Sequence, residues 1–253
     1  MKAIVTGASG GLGLEFAKLL AADGIDLVLV ARSADKLESI AADLRARCNV
    51  AVETIAQDLG VFDAAARIVE RAPTCDILIN NAGFASNGPF DTLPPARMRE
   101  ELLLDIVTLT ELTRAYVRGM HERSSGRILN VASTAGFVPG PFAAVYYASK
   151  AYVLSFSQAL AEELRGSGVT VTCLAPGATA TGFAERAEMK RTLLFKLPMA
   201  GAAPVAKAGY RAMMAGKDLV IPGLSNKMLA LSGRLMPRRA VLWISRKLIE
   251  QSP

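Results

Sequence analysis

Three residues of this 253-residue chain, Ser133, Tyr146 and Lys150, have the types and spacing to move a proton. Tyr146 and Lys150 stand four apart on a helical pattern, so both side chains project from one face. A phenol with a pKa of about 10 neither gives nor takes a proton readily at neutral pH, but a neighbouring ammonium stabilises the phenolate and lowers that value. Lys150 supplies that charge. Ser133 directly follows the apolar run Ile128-Leu129-Asn130-Val131 and can hold a substrate oxygen beside the Tyr146 hydroxyl. Such a set suits carbonyl reduction, in which Tyr146 protonates the oxygen while hydride reaches the carbon, and the reverse oxidation. A Tyr-Lys spacing of this kind also arises by chance, so its surroundings must give it weight.

Near the N-terminus the chain reads Thr6-Gly7-Ala8-Ser9-Gly10-Gly11-Leu12-Gly13, between an apolar run and a helical pattern. Glycines allow a tight turn and let backbone N–H groups at a helix N-terminus approach a pyrophosphate. A turn with no ligand needs the same residues. The position between strand and helix is what favours a dinucleotide on Gly7, Ser9, Gly11, Leu12 and Gly13. After the second strand, where an acid would bind the ribose 2′-OH of NAD, the chain has Arg32 and Ser33. A guanidinium pairs with a 2′-phosphate, so these two residues favour NADP(H); the alternative is an ordinary exposed arginine.

These residues need elements to hold them. Short β-branched runs at Ala3-Val5, Leu27-Val30, Val50-Ile55, Ile77-Ile79, Arg127-Val131 and Val169-Leu174 alternate with helical patterns at Leu12-Ala22, Ala34-Arg47, Phe62-Arg71, Pro95-Gly119 and Tyr146-Leu164. Strands apolar throughout need cover on both faces. The fold class is therefore α/β, a Rossmann-like doubly wound parallel sheet of about seven strands with helices on both faces, in a single domain. Ligands bind such sheets at the carboxyl ends of the strands, where the glycine loop and Ser133 fall.

With those elements in order, the chain resembles the short-chain dehydrogenase/reductase family, of the NADP(H)-preferring ketoreductase type. Thr6-Gly7-xxx-Gly11-x-Gly13, Asn80-Asn81-Ala82-Gly83, Ser133, Tyr146-xxx-Lys150 and Pro176-Gly177 carry the likeness. The resemblance implies that Asp58 and Leu59 lie against the adenine and that Asn81, Ala82 and Gly83 flank the adenosine side. It also implies that Pro176, Gly177, Thr179 and Thr181 cover the nicotinamide, that Tyr146 and Lys150 touch the cofactor, and that residues near 178–203 form a substrate lid. Tyr147, with Ala151 four residues on, cannot form the pair. One departure is Asp105, standing where the family has an asparagine that holds a helix kink and a proton-relaying water. An aspartate keeps the shape but brings a negative charge toward Lys150, which would raise the tyrosine pKa. A homodimer or homotetramer paired through Pro95-Gly119 and Tyr146-Leu164 is likewise implied.

Composition bounds what remains. The chain is 51% hydrophobic with a net charge of +6, which could mean nucleic acid, anionic lipid or phosphate. No basic helix or aromatic platform suited to nucleic acid is visible. Cys48, Cys75 and Cys173 are far apart and never in CxxC, so neither disulfides nor a metal site is expected, and Cys173 reads as a small core residue. His121 reads as a surface residue after a helix, and Met213 and Met214 as helix packing. The lid's Leu193-Leu194-Phe195-Lys196-Leu197-Pro198-Met199 suggests a lipophilic carbonyl or alcohol substrate. From residue 225 on, six basic residues face the single acid Glu250. The apolar groups around Leu229 and Trp243 alternate with those charges, in two amphipathic stretches broken at Pro237.

The chain thus divides into a catalytic domain, 1–224, and a basic amphipathic extension, 225–253. For the extension, peripheral contact with anionic lipid stands beside a cap on the pocket or a subunit interface. A cytoplasmic NADPH-dependent oxidoreductase is expected, with membrane association through the tail among its alternatives and a non-catalytic NADP(H)-binding sensor or scaffold as the alternative function.

Overall fold

The computed structural model describes residues 1–189, 191–196 and 198–250. Lys190 and Leu197 of the expected lid, and residues 251–253 of the extension, therefore lie outside the described residues. The parallel strands are β1 (Lys2–Thr6), β2 (Asp26–Ala31), β3 (Val52–Ala56), β4 (Ile77–Asn80), β5 (Gly126–Val131) and β6 (Val169–Leu174). A short strand, Leu219–Val220, joins them at the edge of β6; its two residues carry too little pattern to be read from sequence. Strand order is 3-2-1-4-5-6 followed by that edge strand, so the order reverses between β1 and β4.

Alternation along each strand splits its residues between two cores. Ala3, Val5, Leu27, Leu29, Ile77, Ile79 and Leu129 face one side, and Ile4, Val28, Val30, Leu78 and Ile128 the other. Helices α1 (Gly11–Ala22) and α2 (Ala34–Cys48) cover the first core. The second lies under α3 (Ala64–Arg71), α5 (Leu109–Glu122) and α6 (Ala144–Glu163), with α4 (Pro95–Leu102) leading into α5. The expected helix over Pro95-Gly119 is continuous but not uniform: Leu103–Thr108, between α4 and α5, is a π-turn stretch. It ends three residues later than expected, at Glu122, so His121 stands exposed in its last turn rather than after it.

Past β6 the chain forms α7 (Phe183–Arg186) and α8 (Leu193–Lys196), then α9 (Ala202–Met214), α10 (Leu224–Leu235) and α11 (Arg238–Ile249). The lid segment is closed at its base by a two-stranded parallel pair, Thr179–Ala180 with Ala200–Gly201, which sequence reading missed because two-residue strands have no period. Within α9 Met213 is fully buried, whereas Met214 is exposed. Pro237, with φ −54°, separates α10 from α11 as expected. Gly233 lets α10 lie close on the turn after Ser133, since a Cβ there would stand 2.7 Å from the Phe137 carbonyl oxygen.

Candidate active site

Four strand ends converge where the strand order reverses. β1 runs into the glycine loop, in which Gly7 (φ 67°) and Gly11 (φ 57°) adopt left-handed conformations that favour glycine. A Cβ at Gly7 would meet Asn81 Nδ2 at 2.8 Å and Ala82 Cα at 2.9 Å. The loop after β4 is tied to this turn: the backbone N–H groups of Asn81 and Ala82 both donate to Thr6 Oγ1 at 3.0 Å. Asn81 Nδ2 also donates to the Thr6 carbonyl at 2.8 Å. On the other side Ala8 N–H donates to the Val30 carbonyl at 3.2 Å, so the loop is fixed against the end of β2, just ahead of Arg32.

β5 delivers Ser133, whose Oγ accepts from Ala135 N–H at 3.1 Å and caps the following turn. From α6 come Tyr146 and Lys150. The ammonium stands 5.5 Å from the centre of the Tyr146 ring, donates to the Val131 carbonyl at 3.4 Å, and pairs with Asp105 Oδ2 at 3.4 Å. Asp105 is fully buried on the π-turn stretch, and Ser149 Oγ donates to the same oxygen at 3.0 Å. The backbone irregularity expected at this position is therefore present with an aspartate in place.

Burial is the main cause of a Tyr146 pKa well above that of free tyrosine. The charges of Asp105 and Glu101 push it further in that direction, while the Ser133 hydroxyl opposes them. Asp105 is itself raised, by burial, against the pull of Lys150 and Ser149. As it stands the site holds Tyr146 as a neutral phenol, the form that donates a proton.

A single cleft brings together Gly7, Gly11, Leu12, Asn81, Ala82, Gly83, Ser133, Tyr146, Lys150, Pro176, Gly177, Thr179 and Thr181 among the expected residues. The others lie around it. Gly13 is buried, packed where a Cβ would overlap the Gly7 carbonyl oxygen, so its smallness serves packing. Ser9 is half-buried in the loop. Arg32 is exposed and makes no ion pair among the described residues, with Ser33 half-buried beside it as the N-cap of α2. Asp58 is exposed and accepts from Gly60 N–H at 2.9 Å, whereas Leu59 is core. Asp105 lies behind Lys150, out of the cleft. Among the described residues no group of His, Cys, Asp and Glu could hold a metal ion.

In the outer wall of the cleft, Leu194 and Phe195 belong to the lid stretch expected to form an apolar pocket, and a cap on that pocket was one reading of the tail; the remaining wall residues were not picked out. Phe183, Arg186, Met189, Leu194 and Phe195 come from the lid, Leu229 and Ser232 from α10, Met236 from the turn after it, and Val241, Ile244, Ser245 and Leu248 from α11. Only the helical periods of the tail hinted that one face of it would turn inward.

The short chain dehydrogenase profile matches residues 1–192. The chain belongs to the short-chain dehydrogenase family. The very-long-chain 3-oxoacyl-CoA reductase of Rattus norvegicus is 35% identical over 189 residues, 72% of this chain and 61% of that protein. The nodulation protein G of a Rhizobium species is 36% identical over 180 residues, 70% of this chain and 72% of that protein. The chain spans only 53% to 61% of the length of the very-long-chain reductases it matches. Among solved structures, a short-chain dehydrogenase from Sphingobium yanoikuyae in complex with NADPH superposes with a TM-score of 0.84 at 32% identity, over 100% of this chain and 98% of that one. An alcohol dehydrogenase from Comamonas testosteroni specific for bulky-bulky ketones gives a TM-score of 0.79 at 28% identity, over 93% of both chains. Within the short-chain dehydrogenase fold, the match to the Sphingobium chain includes the segment that forms α10 and α11.

Proposed function

We propose that this short-chain dehydrogenase is an NADPH-dependent carbonyl reductase and secondary-alcohol dehydrogenase acting on lipophilic ketones or alcohols. The observation that carries the reading is the convergence of Ser133, Tyr146 and Lys150 in one cleft whose outer wall is mostly apolar. The cradle fits the cofactor, because Gly7, Gly10, Gly11 and Leu12 line the cleft where the loop runs into the N-terminus of α1, a position suited to a pyrophosphate. Gly7, Ser9, Gly11, Leu12 and Asn81 to Gly83 would hold its phosphates and adenosine, with Asp58 and Leu59 toward the adenine. Arg32 and Ser33 would take the 2′-phosphate, and Pro176 to Thr181 the nicotinamide end. NADPH, when bound, supplies the hydride. Ser133 orients the substrate oxygen, Tyr146 gives that oxygen its proton, and Lys150 stabilises the phenolate left behind. The relatives named for 3-oxoacyl-CoA and for bulky ketones support a large apolar substrate.

The test is NADPH oxidation with a panel of ketones, diketones and 3-oxoacyl thioesters. Turnover rising with the size of the apolar group is expected. NADPH binding without turnover anywhere in the panel would instead favour the sensor or scaffold.

Residues 225–253 act in this reading as an extension that caps the catalytic domain, 1–224, and touches a membrane surface. Leu224, Met228, Leu231 and Leu235 recur at helical spacing along α10 and are 75%, 65%, 55% and 74% exposed. Exposed Lys227, Arg238, Arg239, Arg246 and Lys247 accompany them. A second copy would bring an equally basic tail against this one, whereas anionic lipid complements it. No helix among the described residues is long and apolar enough to cross a membrane. Pairing of copies would use the outward side of α6, where Tyr152 stacks on Phe156 with ring centres 5.6 Å apart.

A further inference from the structure

Behind Lys150 lies a second carboxylate to which the chemistry above gives no task. Glu101 stands one helical turn before Asp105 and is, like it, fully buried. Its Oε2 accepts from Ser86 N–H at 3.1 Å, while Oε1 has no hydrogen-bond partner among the described residues; Asp105 Oδ1 has none either. Asp105 Oδ2, by contrast, takes both the Ser149 hydroxyl and the Lys150 ammonium. Two ionised carboxylates against one ammonium would leave a net negative charge on side chains shielded from bulk solvent, and one proton removes that imbalance. Asp105 has the ammonium and a hydroxyl to hold its charge. Glu101 has only the neutral amide and hydroxyl of Ser86, and no cation in contact.

We propose that Glu101 is a positioning residue of the catalytic cluster: it carries the proton that leaves Asp105 as the lone carboxylate facing Lys150, and by losing it alters the charge that Tyr146 experiences. The charged and titratable groups acting on Glu101 are Asp105 from its own helical run and Lys150 from α6, and its charge in turn reaches Tyr146. The loop at Ser86 and Asn87 brings only neutral side chains. Burial raises Glu101 to about 7, the Ser86 hydrogen bonding opposing and the Asp105 charge adding to the shift. Below that pH the cluster is neutral. Above it Glu101 ionises and disfavours the Tyr146 phenolate, the form that alcohol oxidation requires.

This inference rests on Tyr146 as the acid–base group, so its test has one arm that needs activity and one that does not. In the first, the pH profile of kcat/KM for alcohol oxidation is compared between the native enzyme and Glu101→Gln. The variant's rising limb should lie lower by about one pH unit, the effect of removing one buried charge nearby. In the second, thermal midpoints of the cofactor-free protein are followed from pH 5 to pH 8. A carboxyl whose folded pKa is raised holds its proton more tightly when folded, so its contribution is full at low pH and is lost as pH climbs through the folded value. The native chain should therefore lose stability relative to Glu101→Gln over that interval. Should Glu101→Gln fail to fold, Asp105→Asn gives the same information, because without the Asp105 charge the folded value of Glu101 falls and the loss of stability is complete at lower pH than in the native chain. A stability difference independent of pH overturns the proposal, as does a growing difference with an unmoved oxidation profile. Absence of turnover in every assay would defeat the reductase reading, while the stability arm would still report whether Glu101 holds the proton.

Discussion

At the scale of single residues, Tyr146 is the group whose loss should be most costly. Tyr146→Phe removes the transferable proton and keeps the ring that packs 5.3 Å from Phe183. Steady-state assays should show kcat reduced by at least about 100-fold with NADPH affinity retained. Arg32→Ala should weaken NADPH about 10- to 100-fold, the range for one charge-assisted contact, and leave NADH unchanged when both are titrated by fluorescence. Asp105→Asn should retain or improve reduction and move oxidation toward lower pH, because a negative charge beside the phenol disappears. Breaking a buried ion pair ordinarily costs about 3–5 kcal/mol. Here denaturant unfolding should show less, since Glu101 can ionise in place of Asp105. Ser133, Tyr146, Lys150 and the glycines were legible because each reactive type sat at a strand end or at helical spacing. Glu101 was not: a glutamate in Arg99-Glu100-Glu101 reads as a solvated helix face, and only packing against the Ser86 loop reveals that it is buried.

At the scale of elements, the glycine loop joins two different uses of small residues. A Cβ on Gly13 would overlap the Gly7 carbonyl oxygen and stand 2.6 Å from Asn81 Nδ2, and backbone held by the Thr6 tether cannot withdraw. Gly13→Ala should lower unfolding free energy by about 1–3 kcal/mol, measured by urea titration. Gly10 has an extended backbone, φ 169°, and nothing within 4 Å of a built Cβ, so Gly10→Ala should stay close to native stability. Sequence alone treated these glycines as one phosphate-binding motif, because spacing does not tell which of them faces a neighbour. The main strands were readable from their apolar runs. The pair Thr179–Ala180 with Ala200–Gly201 and the edge strand Leu219–Val220 were not, since strands this short are fixed by tertiary contacts rather than by local pattern.

At the scale of the whole molecule, the excess positive charge and the apolar cleft meet in one place. α10 and α11 turn Leu229, Met236, Val241, Ile244 and Leu248 toward the site, and Ile249 is fully buried among Ala85, Tyr147 and Met189. Their outer side carries the leucine stripe of α10 and Trp243, 64% exposed, between basic residues. The same two helices thus wall the cleft, and in the proposed reading their outer side would meet anionic lipid and let an amphiphile pass from a bilayer to Tyr146. Changing Leu224, Met228 and Leu235 together to serine alters only the outer side, as none of the three lines the cleft. The triple variant should remain folded, keep its kcat/KM for a small water-soluble ketone, and lose co-sedimentation with vesicles containing phosphatidylserine. It should also lose activity toward a long-chain ketone presented in those vesicles but not toward the same ketone in detergent. Equal sedimentation of native and variant chains would show that the stripe does not touch lipid, and equal loss in detergent would show that it shapes the pocket instead.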